Sequence, residues 1–266
     1  MPAAANLNSD LENDVRILLL NPNMTDDVTA RMAEAGQAVA SAGTELVPLT
    51  ASRGVPYIST RVEAQIGGAI ALEMLAAQEG KVDAAIIAAF GDPGLFAARE
   101  LFDFPVIGVS EAAMLTACML GKRFAVVTFS SSLVSWYRDC IEVNGMEDRC
   151  AGIHALDLSF AEVTSDQHGN SDSLVRFAEK VVGENGADVL IFAGAPLAGL
   201  ARRERDRIPV PIVDPVSAAV KQAEALVALA PRKAVSGSFQ RPAAKITIGL
   251  DPLLAARIEH RDQVQP

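Results

Sequence analysis

Two α/β lobes facing one another, each a mainly parallel four-stranded sheet flanked by helices, are what this 266-residue sequence predicts. Three observations carry that expectation. Apolar, strand-length runs alternate with helical segments almost throughout, the signature of a parallel sheet with crossover helices. Several of these runs are continuously apolar, as strands covered on both faces must be. The unit Val82-Asp-Ala-Ala-Ile-Ile-Ala-Ala89, followed by Pro105-Val-Ile-Gly-Val, returns 105 positions later as Ala187-Asp-Val-Leu-Ile-Phe-Ala-Gly194, followed by Pro211-Ile-Val-Asp-Pro. One lobe reads as a copy of the other.

In chain order, strands are expected at residues 15–20, 44–48, 83–88, 105–109, 124–128, 151–156, 189–193 and 211–213. The helices between them fit residues 25–41, 61–78, 94–101, 110–120, 131–144, 172–184, 195–204 and 216–230. Asp92-Pro-Gly and Ala195-Pro break the chain after the third and seventh strands. The organisation that follows is a flexible arm over residues 1–14, a first lobe over 15–120, a second over 121–215, and a C-terminal helix and tail over 216–266 packing back on the lobes. The stretch over residues 231–242 has no clear period and is expected to wrap the surface or a neighbouring subunit.

Composition excludes several classes of function. Half the residues are apolar, enough for a sizeable core. A net charge of −10, with Lys and Arg scattered, excludes a nucleic-acid surface, which needs clustered positive charge. No apolar run reaches the roughly 18–20 residues that span a bilayer, and the first residues are acidic, so a cytoplasmic protein with no membrane contact is expected. Cys118, Cys140 and Cys150 share no metal-binding spacing and read as reduced, structural thiols; His154, His168 and His260 form no constellation. No metal is expected. The absence of a phosphate-binding glycine fingerprint and of a G-x-S-x-G elbow leaves nucleotide cofactors and serine hydrolase chemistry without support.

Ligands of parallel α/β sheets collect beyond the carboxyl ends of the strands. That rule selects Asn21, Asn23, Phe90, Gly91, Asp92, Ser110, Glu111, Thr128, Ser130, Ser131, Gly194, Ala195 and Asp214. The hydroxyls around Thr128, Ser130 and Ser131 precede a helix and suit an anion, although helix capping alone explains one of them. Asn21-Pro-Asn23 is equally a binding loop or a turn with a cap. Asp92 is a candidate general acid or base, or part of an ordinary turn. Glu111 and Asp214 are candidate site carboxylates whose places at helix starts the macrodipole also favours. Arg61 is a substrate clamp or a solvated helix charge.

Arg16-Ile-Leu-Leu-Leu-Asn-Pro-Asn-Met-Thr25, Ala88-Ala-Phe-Gly-Asp-Pro-Gly-Leu95, Val106-Ile-Gly-Val-Ser-Glu-Ala-Ala113, Phe124-Ala-Val-Val-Thr128, Val213-Asp-Pro-Val-Ser-Ala-Ala-Val-Lys221 and Ser236-Gly-Ser-Phe-Gln-Arg-Pro242 together resemble the hydantoin racemase branch of the aspartate/glutamate racemase superfamily. The resemblance implies a cofactor-independent homo-oligomer acting on a small carboxylate or cyclic ureide. In such racemases one cysteine from each lobe flanks the substrate carbon, one taking the proton and the other returning it on the opposite face. The resemblance places those cysteines at Ala89 and Gly194, so both thiols are replaced. A methyl group and a hydrogen atom move no proton.

Three functional readings follow. The first is a diverged enzyme running lyase, decarboxylase or hydrolase chemistry, with Asp92 or Glu111 supplying a proton; malonate-decarboxylating relatives, which keep one cysteine, make a precedent. The second is a racemase or epimerase with displaced bases. The third is a non-catalytic metabolite-binding protein that keeps the old cleft.

Overall fold

The computed structural model describes residues 15–159, 162 and 171–263. The expected arm over 1–14 and His168 lie outside these residues. Two four-stranded parallel sheets form the scaffold. The first consists of β1 (Val15–Asn21), β2 (Thr44–Thr50), β3 (Ala84–Ile87) and β4 (Val106–Gly108) in the order β2-β1-β3-β4. The second repeats the pattern with β5 (Phe124–Thr128), β6 (Cys150–Ala155), β7 (Val189–Phe192) and β8 (Ile212–Val213) in the order β6-β5-β7-β8. All eight expected strands are present, and the internal repeat is a repeat of topology.

The helices are α1 (Asp26–Gln37), α2 (Arg61–Ala76), α3 (Leu95–Leu101), α4 (Val109–Leu120), α5 (Val134–Val143), α6 (Ser171–Asn185), α7 (Leu200–Glu204), α8 (Pro215–Leu229) and α9 (Pro252–Ile258). Helix α2 starts where Thr60 and Glu63 form a reciprocal capping box, which satisfies two otherwise unpartnered N–H groups. Along β1, Ile17 and Leu19 join the large core that reaches both sheets, while Leu18 and Leu20 join a second core with α2, α3 and Leu254 of α9. Both faces of the strand are covered, which is why its sequence is continuously apolar. The central helices α4 and α8, one from each half, pack on each other. Gln222 fixes the crossing by donating to the Ala112 carbonyl at 2.9 Å.

Two expectations need correction. The strand expected at 105–109 ends at Gly108, because Val109 already opens α4. The single helix expected at 195–204 is a 3-10 turn over Ala195–Leu197 followed by α7, divided by Gly199 at φ +80°. A left-handed residue at that point interrupts a continuous helix. The tail also carries α9, for which no separate helix is expected above, and it packs against α2.

Candidate active site

The matched ends of β3 and β7 meet between the two halves. Ala88 and Phe90 on one side and Gly194 and Ala195 on the other line a cavity of about 20 Å³, closed further by Met32, Val109 and Val216. That space holds about one water molecule. The sequence rule thus brings Phe90, Gly194 and Ala195 together in an apolar cavity, and a cluster of aromatic side chains packs beside it.

The chain has only two tyrosines and one tryptophan, and all three stand here. Tyr137 and Trp136 project from α5, and their ring centroids lie 5.6 Å apart. Phe90 packs on Tyr137 at 4.6 Å, and Tyr57 on Phe129 at 5.7 Å. Gly91, at φ +105°, is glycine because a Cβ there would sit 2.2 Å from the Trp136 ring. The Tyr57 and Tyr137 hydroxyls are hydrogen-bonded to each other. Thr128 is fully buried beside Tyr137. Burial pushes both phenols well above the ordinary phenol range, so each is a neutral hydrogen-bond donor at physiological pH.

Tyr137 also stands where a side chain on Gly194 would project. A Cβ built at Gly194 would lie 3.6 Å from the Tyr137 hydroxyl and 2.9 Å from the Phe129 ring, at a backbone φ of +112°. Sequence reasoning overlooked both tyrosines, which sit in no recognised motif. Their rarity in the composition was the available signal.

The acidic candidates have other work. Asp92 is buried, and its two carboxylate oxygens accept the main-chain N–H groups of Ser110 at 2.9 Å and Glu111 at 2.8 Å, capping α4 from another loop. Gly108 makes that approach possible, since a Cβ there would lie 2.2 Å from the Asp92 carboxyl. Burial raises Asp92 to about 6 against the pull of these donors. Glu111 is held by both Nη atoms of Arg99, which clamp its two oxygens. Asp214 caps α8 through Ser217 at 2.8 Å and takes the Gly199 N–H at 2.8 Å with its other oxygen. Each expected site carboxylate accepts hydrogen bonds that hold the fold, from helix N–H groups or from Arg99.

Because the folded state holds the Asp92 proton at a pH where the unfolded chain has released it, this residue's contribution to stability should fall as pH rises from about 4 to 6. Carboxyl 13C titration should place its midpoint near 6, and Asp92→Ala should remove the step while costing about 2–4 kcal/mol through the two uncapped N–H groups. A midpoint near the ordinary carboxylate value of 3.8 would refute this.

The remaining candidates divide similarly. Arg61 is exposed and paired with Asp139 and the Ser135 carbonyl of α5, so it ties α2 to α5 and makes no clamp in this arrangement. Asn21 donates to Asn23 at 3.1 Å and Thr29 at 2.8 Å, and the Asn23 oxygen accepts the Thr25 N–H at 3.1 Å. Thr25 then donates to the Pro56 carbonyl at 2.6 Å, securing the loop that carries Tyr57. The Asn21-Pro-Asn23 turn thereby positions a cleft tyrosine. Ser130 caps the 3-10 turn over Ser131–Leu133 by accepting from Ser132, and Ser131 is exposed. The three cysteines are free thiols. Cys140, 3.2 Å from the Ser110 hydroxyl, is driven up to about 12 by burial and the nearby Asp92 charge, so it offers no thiolate.

Phe129 also lines a larger cavity of about 280 Å³, walled by Leu156, Leu158, Leu174 and Leu197 and edged by Arg31, Glu34, Arg202 and Arg203, the last paired with Glu204. Ala198 belongs to both cavities. A small anion with an apolar body fits this combination of walls and edge charge.

The family model described as Asp/Glu/Hydantoin racemase matches residues 17–223. The chain belongs to the Asp/Glu/hydantoin racemase family. It is 34% identical to a hydantoin racemase of Paenarthrobacter aurescens over 87% of this chain and 99% of that protein. Among solved structures, an allantoin racemase from Klebsiella pneumoniae superposes with a TM-score of 0.85 at 36% identity, covering 90% of this chain and 98% of that one. A further allantoin racemase from Pseudomonas fluorescens gives 0.84 at 34%, covering 88% of this chain and 100% of that one. Arylmalonate decarboxylase shares the fold at 14% identity, with a TM-score of 0.58 and coverage of 85% and 97%. No described helix is long and apolar enough to cross a membrane.

Proposed function

We propose that this family member is a cofactor-independent enzyme acting on a small dicarboxylate of the substituted-malonate type by one-sided protonation, in place of two-base racemisation. The observation that carries the reading is the Tyr137 hydroxyl standing where the Gly194 side chain would project, while position 89 carries only the methyl group of alanine. A neutral phenol donates a proton but cannot abstract one at ordinary pH. Elimination and general-base hydrolysis both need a base, and the carboxylates near the cleft already accept from helix caps and an arginine. Decarboxylation needs none.

In that reaction the bond from the substrate carbon to one carboxylate breaks. Its electron pair passes into an enediolate on the remaining acid, and CO2 leaves. Tyr137 delivers its proton to the carbon, and solvent restores the proton by way of Tyr57. The apolar walls of the adjoining cavity take the substituent, the arginines at its edge attract the acid, and the buried aromatic surroundings strengthen the donors' field.

The test is proton NMR in D2O with substituted malonates, hydantoins, allantoin and acidic amino acids, following products and deuterium at the reacting carbon. Loss of CO2 with one deuteron incorporated is expected. Racemisation of a hydantoin or allantoin without new product would defeat the proposal. A metabolite-binding protein without turnover is the second reading, favoured by the engagement of Asp92 and Glu111 in structural hydrogen bonds; it requires ligand-induced thermal stabilisation with no product from any compound that binds.

A further inference from the structure

A third cavity, of about 250 Å³, lies at the opposite ends of the strands from the cleft. Its apolar wall forms where α3 ends and β4 begins, from Phe102, Phe104 and Val106, and is completed by Leu226 of α8 and by Phe239. Residues 232–234, which follow α8 without helix or strand, make its polar rim. The cleft groups follow the carboxyl ends of the strands, and the proton transfer proposed for them uses none of this space.

The lining is aromatic. Three of the chain's ten phenylalanines border the cavity. Phe102 and Phe104 stack with centroids 5.5 Å apart and planes 19° from parallel, and Phe239 is left 38% exposed. A flat apolar body that displaces water from such rings gains both the burial and the ring contact. A cavity of about 150 Å³ suffices for benzene, so this one has room for a ring and an acid group attached to it.

Charge selects the acid. Four ionic side chains border the cavity, and two of them are already matched: Arg99 by Glu111, and Asp103 by Arg257 at 2.7 Å. The other two, Arg232 and Lys233, are cations with no ion pair among the described residues. Lys233 is held in place by donating to the Arg99 carbonyl. Burial pulls its ammonium below the ordinary value against the attraction of Asp103, and an anion beside it would favour the charged form. Fixed cations on the rim of an aromatic wall fit an anion with a flat apolar body.

We propose that this cavity is a second ligand site, taking a small aromatic anion with its ring on Phe102, Phe104 and Phe239 and its acid group on Lys233 and Arg232. Calorimetric titration of the full chain with phenylacetate and with phenyl phosphate should give a dissociation constant on the order of a millimolar or below for at least one of them. The tighter of the two identifies the acid group. Benzyl alcohol, which keeps the ring without the charge, and inorganic phosphate, which keeps the charge without the ring, should each bind about tenfold more weakly or worse. Lys233→Gln should weaken binding by about tenfold or more. Because that change also frees the segment from Arg99, Ala234→Trp is the second variant: it keeps the pin, fills the cavity from an exposed position, and should abolish binding with the thermal midpoint near the parent's. Amide NMR shifts should fall on residues 102–106 and 232–239, and Tyr137→Phe should bind as the parent does. Absence of binding by both aromatic anions at about 10 mM, binding that Ala234→Trp leaves unchanged, inorganic phosphate binding as tightly as phenyl phosphate, or shifts confined to Phe90, Gly194 and Ala198 of the cleft would each overturn the proposal.

Discussion

Tyr137→Phe is expected to reduce turnover by about 10²- to 10⁴-fold while ligand affinity is retained. The substitution keeps the ring against Phe90 and Trp136 and removes only the oxygen that stands near the Gly194 side-chain position. Loss of its hydrogen bond with Tyr57 should cost stability by about 1 kcal/mol, far too little to imitate the loss of the reaction. Burial holds the phenol above its ordinary value of 10.0, so kcat should show no fall from phenol ionisation at any lower pH. Tyr57→Phe should have a smaller effect on kcat, since that hydroxyl acts through Tyr137. Full activity in Tyr137→Phe on a substrate that the parent decarboxylates would eliminate the assigned donor.

Restoring a thiol should fail. Gly194→Cys is expected to destabilise the chain by about 2–6 kcal/mol, from strain at a backbone conformation reserved for glycine together with overpacking against Phe129. The added Cβ would meet Phe129 Cε1 at 2.9 Å and Cδ1 at 3.2 Å, and φ is +112°. Ala89 already carries a Cβ, so Ala89→Cys should be tolerated better. The pair Ala89→Cys/Gly194→Cys should therefore unfold at lower denaturant and gain no hydantoin racemisation. Adding Phe129→Ala removes the steric conflict but not the backbone strain, so it should recover part of the lost stability. An unchanged unfolding midpoint in Gly194→Cys would mean that the loop readily rearranges, and the argument that tyrosine has taken the thiol's place would lose its geometric basis.

The strands were legible because each is a local run of apolar residues, and the twofold pattern because β3 and β7 kept similar sequences. Errors gathered where distant contacts overrule local signals. Val109 joins a helix whose first N–H groups are received by Asp92, a residue 17 positions earlier. Residues 195–204 looked like one helix, yet the Gly199 N–H is drawn to Asp214 on the following helix cap. The same long-range bonding made the carboxylates ambiguous. Read locally, Asp92, Glu111 and Asp214 are acids near strand ends; in three dimensions they are spent on N–H groups and on Arg99.

By itself the sequence determined the parallel α/β class, the repeated topology and the family, because these depend on apolar periodicity and on motifs in a fixed order. Only the tertiary structure decided the chemistry of the cleft. Tyr57 and Tyr137 are 80 positions apart and belong to no motif, so nothing local connects them. Their meeting beside Gly194 depends on packing α5 from one half against the Tyr57 loop from the other, and burial at that junction then keeps both phenols protonated.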